Sequence, residues 1–148
     1  MVNLNPVLLP ENQCYTLDTV TIIYFLERHP RYYQTAKEIF KKVETGKITA
    51  NISTLVFTEL LVPAYKNKEY KQPEKIIHIL SNYPNLKVIP LATKISTMAA
   101  RLRAIYGLRT PDAIHIATAL ESKSSGIITN DNGFKKVASA DFGIWLFE

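Results

Sequence analysis

Most acidic residues of this chain stand among polar neighbours. Glu11, Glu27, Glu38, Glu44, Glu69, Glu74 and Glu121 read as solvated faces of surface elements. Four others do not. Asp18 closes the apolar stretch Tyr15-Thr-Leu-Asp18, and Glu59 sits inside Thr54-Leu-Val-Phe-Thr-Glu-Leu-Leu-Val62. Asp112 opens the almost wholly apolar run Pro111–Leu120, and Asp131 follows Ile127-Ile-Thr-Asn130. Taken singly, Asp18, Asp112 and Asp131 each suit a helix start. Glu59 resists such a reading, because a carboxylate midway along an apolar helix is costly unless paired or liganded. Gathered together, the four would repel one another without a cation. All-oxygen ligation suits Mg²⁺ or Mn²⁺. Carboxylate-held divalent metals activate water and stabilise a leaving oxygen. Asp141, in Ala140-Asp-Phe-Gly143, reads equally well as a turn residue and as a fifth member.

The elements that must position these acids follow from the apolar rhythm. Strands are expected at Cys14–Leu17, Ile48–Ile52, Leu86–Ile89 (closed by Pro90), Gly126–Thr129 and Gly143–Phe147. Between them lie helical segments. Val20–Leu26 ends near His29-Pro30, and Tyr32–Thr45 stops at Gly46. Leu55–Tyr65 follows a capping Ser53 and is kinked or ended by Pro63, and another helix runs from Pro73 through Leu80. Ile95, Met98, Ala99, Leu102 and Ile105 mark a long helix that stops at Gly107. Thr110-Pro111 starts the next, a capping hydroxyl followed by Pro, and it runs through Leu120. Asn132–Val137 is a short helix. The alternation implies an α/β class with a mostly parallel sheet of about five strands. Function in such sheets collects beyond the carboxyl ends of the strands. Asp18 and Asp131 both follow strands and should share that edge.

Composition agrees and excludes much else. With 148 residues, 47% apolar and 21% charged, the chain suits one domain over 1–148. Residues 1–13 are expected to form an N-terminal extension, either a surface strap or a disordered arm. No run approaches the roughly 20 apolar residues of a membrane helix. No basic leader precedes Val7–Leu9, which speaks against a secretory signal. The single Cys14 excludes a disulfide framework and a Cys-rich zinc site, and a cytoplasmic location is expected. No glycine-rich phosphate loop is present. The net charge of +5 permits a polyanion partner without demanding one.

Four pieces taken in order resemble the PIN-domain family, closest to the VapC-type toxins of prokaryotic toxin–antitoxin pairs. They are Leu17-Asp-Thr19, Thr58-Glu-Leu60, Arg109-Thr-Pro-Asp-Ala-Ile-His-Ile-Ala-Thr-Ala-Leu120, and Thr129-Asn-Asp131 with Phe134. The resemblance covers Tyr15 to the C-terminus and implies a three-layer sandwich of sheet and helices. It implies a Mg²⁺-dependent ribonuclease, commonly dimeric and held in check by a cognate antitoxin. It places the acidic quartet on Asp18, Glu59, Asp112 and Asp131, with Thr129 as supporting hydroxyl. The preference for RNA over DNA comes from the resemblance alone. Val20 departs from the pattern, since the family usually has Asn or Ser there.

Basic residues form a candidate phosphate-binding rim: Lys66, Lys68, Lys71 and Lys75 with Tyr65 and Tyr70; Arg101, Arg103 and Arg109; Lys135 and Lys136. Arg109 is the strongest of these, three residues before Asp112. His115, one turn after Asp112, reads equally as a substrate contact and as a packed core histidine. Three other readings stay open. One is a housekeeping PIN-type RNA-processing nuclease. Another is a catalytically silent binding module. The third, a phospho-acceptor signalling domain, would want paired acids after the first strand and a lysine after the last.

Overall fold

The computed structural model describes residues 2–147. In chain order its elements are strand β1 (Val2–Asn3), β2 (Cys14–Leu17), helices α1 (Thr19–Leu26) and α2 (Tyr33–Glu44), then β3 (Thr49–Ser53). There follow α3 (Leu55–Leu60), α4 (Val62–Lys66), α5 (Lys71–Ser81) and β4 (Leu86–Ile89). The remainder is α6 (Thr93–Tyr106), α7 (Thr110–Glu121), β5 (Gly126–Thr129), a 3-10 helix (Asn132–Val137) and β6 (Gly143–Leu146).

Every strand pairs in parallel, in the order β1-β6-β5-β2-β3-β4. The five strands expected from the sequence are all present. The sixth, β1, comes from the N-terminal segment, which is a strap and not a free arm. It pairs with Trp145 and Leu146 of β6. It then buries Leu4 and Leu9, and Pro10 accepts a 2.8 Å hydrogen bond from the Tyr15 hydroxyl.

Parallel strands are buried on both faces because their crossovers lay helices there. Strand alternation sorts the side chains accordingly. Tyr15, Leu17, Ala50, Ile52 and Ile128 pack with Ile22, Ile39, Phe40 and Val43 under α1 and α2. Ile127 and Ile144 pack with Ala99, Leu102, Ala113, Ile116 and Ala117 under α6 and α7. The result is the α/β three-layer sandwich. Helix α7 lies between the sheet and α6, so every residue from Ala113 to Ala119 is buried. That explains why its sequence is apolar almost throughout.

Two close approaches shape the sheet. A Cβ on Gly126 would meet the Gly143 carbonyl oxygen at 2.3 Å, so the β5–β6 pairing requires glycine there. Gly107 ends α6 in a left-handed conformation, φ 66°. Among the described residues no helix is long and apolar enough to cross a membrane.

The topology places the site. From β2 the chain winds outward to β3 and β4, then returns to lay β5 against the other side of β2. The reversal between β2 and β5 is a switch point, where the diverging connections leave a crevice at the carboxyl ends of the strands. Asp18 follows β2 and Asp131 follows β5.

Candidate functional site

A cavity of about 690 Å³ opens at this switch point. Asp18, Glu59, Asp112 and Asp131 all line it, together with Arg109 and His115. The sequence-selected acids therefore meet, although α1, α3, α7 and the end of β5 supply one each.

Asp18 is the N-cap of α1 and is 6% exposed. Its Oδ1 accepts from the Thr21 amide and hydroxyl, each at 3.2 Å. Its Oδ2 accepts from the buried Thr129 hydroxyl at the end of β5. Burial pushes the Asp18 carboxyl up to about 6, an effect that the Thr129 and Thr21 hydrogen bonds only partly offset. One Asp18 side chain thus caps α1 and lines the cavity. Thr129 also accepts from the Asp131 amide at 3.1 Å, so it links the two aspartates.

Glu59 is held from two sides. The Thr19 hydroxyl donates to Oε1 at 2.7 Å, and His115 Nε2 donates to the same oxygen at 2.7 Å. The His115 hydrogen bond leads in drawing the Glu59 carboxyl below its ordinary value. His115 is 3% exposed, and its Nδ1 has no hydrogen-bond partner among the described residues. An ionised carboxylate only accepts, so His115 Nε2 carries the hydrogen of this contact.

Arg109 joins the other two acids. It is the N-cap of α7 by backbone, which places Thr110 within the first turn instead of at the cap. Its Nε donates to Asp112 Oδ2 at 3.0 Å, and its Nη2 lies 3.4 Å from Asp112 Oδ1 and 3.6 Å from Asp131 Oδ2. Asp131 Oδ1 caps the 3-10 helix by accepting from the Gly133 amide at 2.7 Å. The chain thus supplies its own cation between two carboxylates that would otherwise repel.

The other basic candidates lie outside. Lys66, Lys68, Lys71, Lys75, Arg101, Arg103, Lys135 and Lys136 are exposed and do not line the cavity. Asp141 sits in the turn between Ser139 and Phe142. Among the described residues, no three His, Cys, Asp or Glu side chains converge into a finished metal cage. The donor set is nonetheless all oxygen and faces one cavity, and Asp18 is a buried carboxylate whose direct partners are neutral hydroxyls and an amide. Such donors fit a hard divalent cation. Thr19, Tyr24, Asn130 and Asn132 also line the cavity and were not singled out from the sequence. For Thr19 and Asn130 the only local signal is adjacency to Asp18 and Asp131.

No curated protein gives a significant match. Among solved structures, VapBC2 from Rickettsia felis, crystallised with a DNA fragment from its promoter, has a chain 22% identical with a TM-score of 0.64. That match covers 89% of this chain and 98% of the other. A toxin–antitoxin complex from Klebsiella pneumoniae matches at 24% identity and TM-score 0.64, over 87% and 95% of the two chains. VapBC-1 from nontypeable Haemophilus influenzae matches at 20% and 0.63, over 88% and 97%. At these identities the likeness is one of fold. The family model for the PIN domain matches residues 15–140, the span that runs from β2 past Asp131. With that match over most of its length, the chain belongs to the PIN-domain family.

Proposed function

We propose that this protein is a metal-dependent ribonuclease and the toxin of a type II toxin–antitoxin module. The observation that carries this reading is the meeting of Asp18, Glu59, Asp112 and Asp131 in one cavity at the β2/β5 switch point. Membership of the PIN family and the fold likeness to chains from VapBC and other toxin–antitoxin complexes support it. Asp18, Asp112 and Asp131 would hold Mg²⁺, or Mn²⁺, directly, and Glu59 would do so directly or through water. A divalent metal held there would supply an activated water and would stabilise the leaving oxygen of the phosphodiester. Thr129 orients Asp18, and His115 with Thr19 orients Glu59. Arg109, exposed at the mouth, meets the RNA phosphate. The domain is taken to span residues 1–148 and to work in the cytoplasm as a homodimer, with a cognate antitoxin as partner.

Cleavage of RNA by the wild type with Mg²⁺, its loss on chelation and its loss in a folded Asp18→Asn variant are the expected results. A folded Asp18→Asn protein that cuts at the wild-type rate would overturn the mechanism. A neighbouring small gene whose product has a DNA-binding N-terminus and suppresses the activity separates a toxin from a housekeeping nuclease.

A further inference from the structure

The cavity holds more than the acids and Arg109. Apart from Thr19 and His115, which hold Glu59, its remaining wall is made by Val20, Ile23 and Tyr24 of α1 with Asn130 and Asn132 after β5. At about 690 Å³ the space falls within the roughly 300–1,000 Å³ typical of sites that enclose a small organic group. Val20 and Ile23 are one helical turn apart and give an apolar surface beside the carboxylates.

The polar edge of this wall is built by two residues. Tyr24 is 9% exposed, and its ring is fixed from three sides. It lies edge-on to Phe147 at 5.0 Å, and its centroid is 4.8 Å from Tyr32 and 4.7 Å from His29. His29 is held in turn, since its Nδ1 accepts from the amides of Arg31 and Tyr32. The Tyr24 hydroxyl accepts a 2.9 Å hydrogen bond from Asn130 Nδ2. That leaves the hydroxyl its own proton to donate and leaves Asn130 its carbonyl oxygen to accept. Neither is engaged by another side chain among the described residues. A donor and an acceptor, side by side on a rigid support, form the edge of the cavity next to an apolar wall.

We infer that Tyr24 and Asn130, with Val20 and Ile23, form a nucleobase subsite that selects the base beside the phosphodiester to be cut. This deepens the ribonuclease reading and rests on it for the word "cut", while base binding itself is separate. Single-stranded RNA is recognised by splaying out an unstacked base and hydrogen-bonding its edge, and an apolar wall beside that edge keeps water from competing for the hydrogen bonds. A site that hydrogen-bonds one edge rejects a ligand that leaves the site's polar groups unpaired. Val20 then has a reason to be apolar: it faces a base and not a hydrated ion.

The test uses the full chain, isotope-labelled, with Mg²⁺ present. Adenosine, cytidine, guanosine and uridine 5′-monophosphates are titrated in turn; they contain no phosphodiester to cleave. The Asn130 side-chain amide resonance is the readout. Ribose 5-phosphate and inorganic phosphate report binding that needs no base. Saturable shifts at Asn130 with the nucleotides and none with ribose 5-phosphate are expected, with at least about a fivefold spread in affinity among the four bases. Tyr24→Phe, which keeps the packed ring, should compress that spread to within about twofold. The subsite is overturned if no nucleotide moves the Asn130 amide. It is equally overturned if ribose 5-phosphate moves it as much, or if Tyr24→Phe leaves the spread intact. Selective base binding by a protein that never cleaves RNA would instead strike at the ribonuclease reading alone.

Discussion

His115 Nε2 lies 2.7 Å from Glu59 Oε1, so an imidazole buried on α7 fixes a carboxylate that stands 56 residues earlier on α3. The pair fixes how Glu59 faces the cavity. Partners that orient a ligating group commonly change metal affinity or activity by roughly 10- to 100-fold when removed. His115→Leu should therefore weaken Mn²⁺ binding by roughly 10-fold. His115→Gln, which can still donate, should restore most of it. Because the Nδ1 of His115 is already a buried atom without a partner among the described residues, His115→Leu should hold its melting temperature near the wild-type value. Calorimetric Mn²⁺ titration and thermal melts check this. Unchanged affinity in a folded His115→Leu protein would leave the imidazole as core packing.

Arg109 occupies a position that two readings treat in opposite ways. As the cation between Asp112 and Asp131 it competes with a divalent metal, and as a phosphate contact it helps the substrate. Arg109→Ala should thus tighten metal binding while weakening RNA binding in a cleavage-dead background. It should also flatten the salt dependence of RNA binding by about one phosphate contact. Weakened metal binding would contradict the competition, and an unaltered salt slope would contradict the phosphate contact.

Asp18 carries the electrostatic strain of the metal-free site. Its folded-state value of about 6 lies above the ordinary aspartate range, so the fold favours the protonated form. Between about pH 4 and about pH 6 the native state binds the extra proton, and stability falls as pH rises through that window. Above it the full penalty stands. Asp18→Asn removes the charge, so in chelator at pH 7.5 the variant should melt several degrees above the wild type. The difference should vanish below about pH 4. Mg²⁺ should stabilise the wild type and leave the variant almost unmoved. A variant that melts lower at pH 7.5 would mean that its hydrogen bonds outweigh the desolvated charge.

Two glycines separate steric need from backbone freedom. Gly107 has φ 66° and open space around a would-be Cβ, so Gly107→Ala should cost about 1 kcal/mol. At Gly126 the same methyl would strike the backbone of β6, which cannot move without breaking the pairing. Gly126→Ala should lose at least twice as much, roughly 2–4 kcal/mol, in denaturant unfolding. Equal losses would show that β6 yields easily.

The acids stood out because each interrupts or borders an apolar run, although Glu59 alone resisted a helix-start explanation. The helices and the five longer strands were legible from their periodicity. Strand β1 was not, since Val2 and Asn3 are too few to show an alternation and pair only because β6 offers a free edge. Pro63 did end the preceding helix, but the break falls at Leu61, with Pro63 taken into the first turn of α4. Thr110 looked like a cap because it precedes Pro111. The backbone turns one residue earlier, and that turn carries the Arg109 guanidinium back onto Asp112. The pairing of Tyr24 with Asn130 left no trace in the sequence, because 106 residues separate two polar groups that meet only across the β2/β5 switch point.

The placement of β5 between β2 and β6 also sets a clock on biosynthesis. A nascent chain that has emerged only as far as residue 125 already carries Asp18, Glu59 and Asp112. It has nothing to cover the flank of β2, no Thr129 to hold Asp18 (111 residues earlier) and no Asp131. The cavity is therefore absent from an unfinished polypeptide, however well its first helices have folded. On the reading proposed above, the messenger being translated stays beyond the reach of its own product until the ribosome has delivered β5.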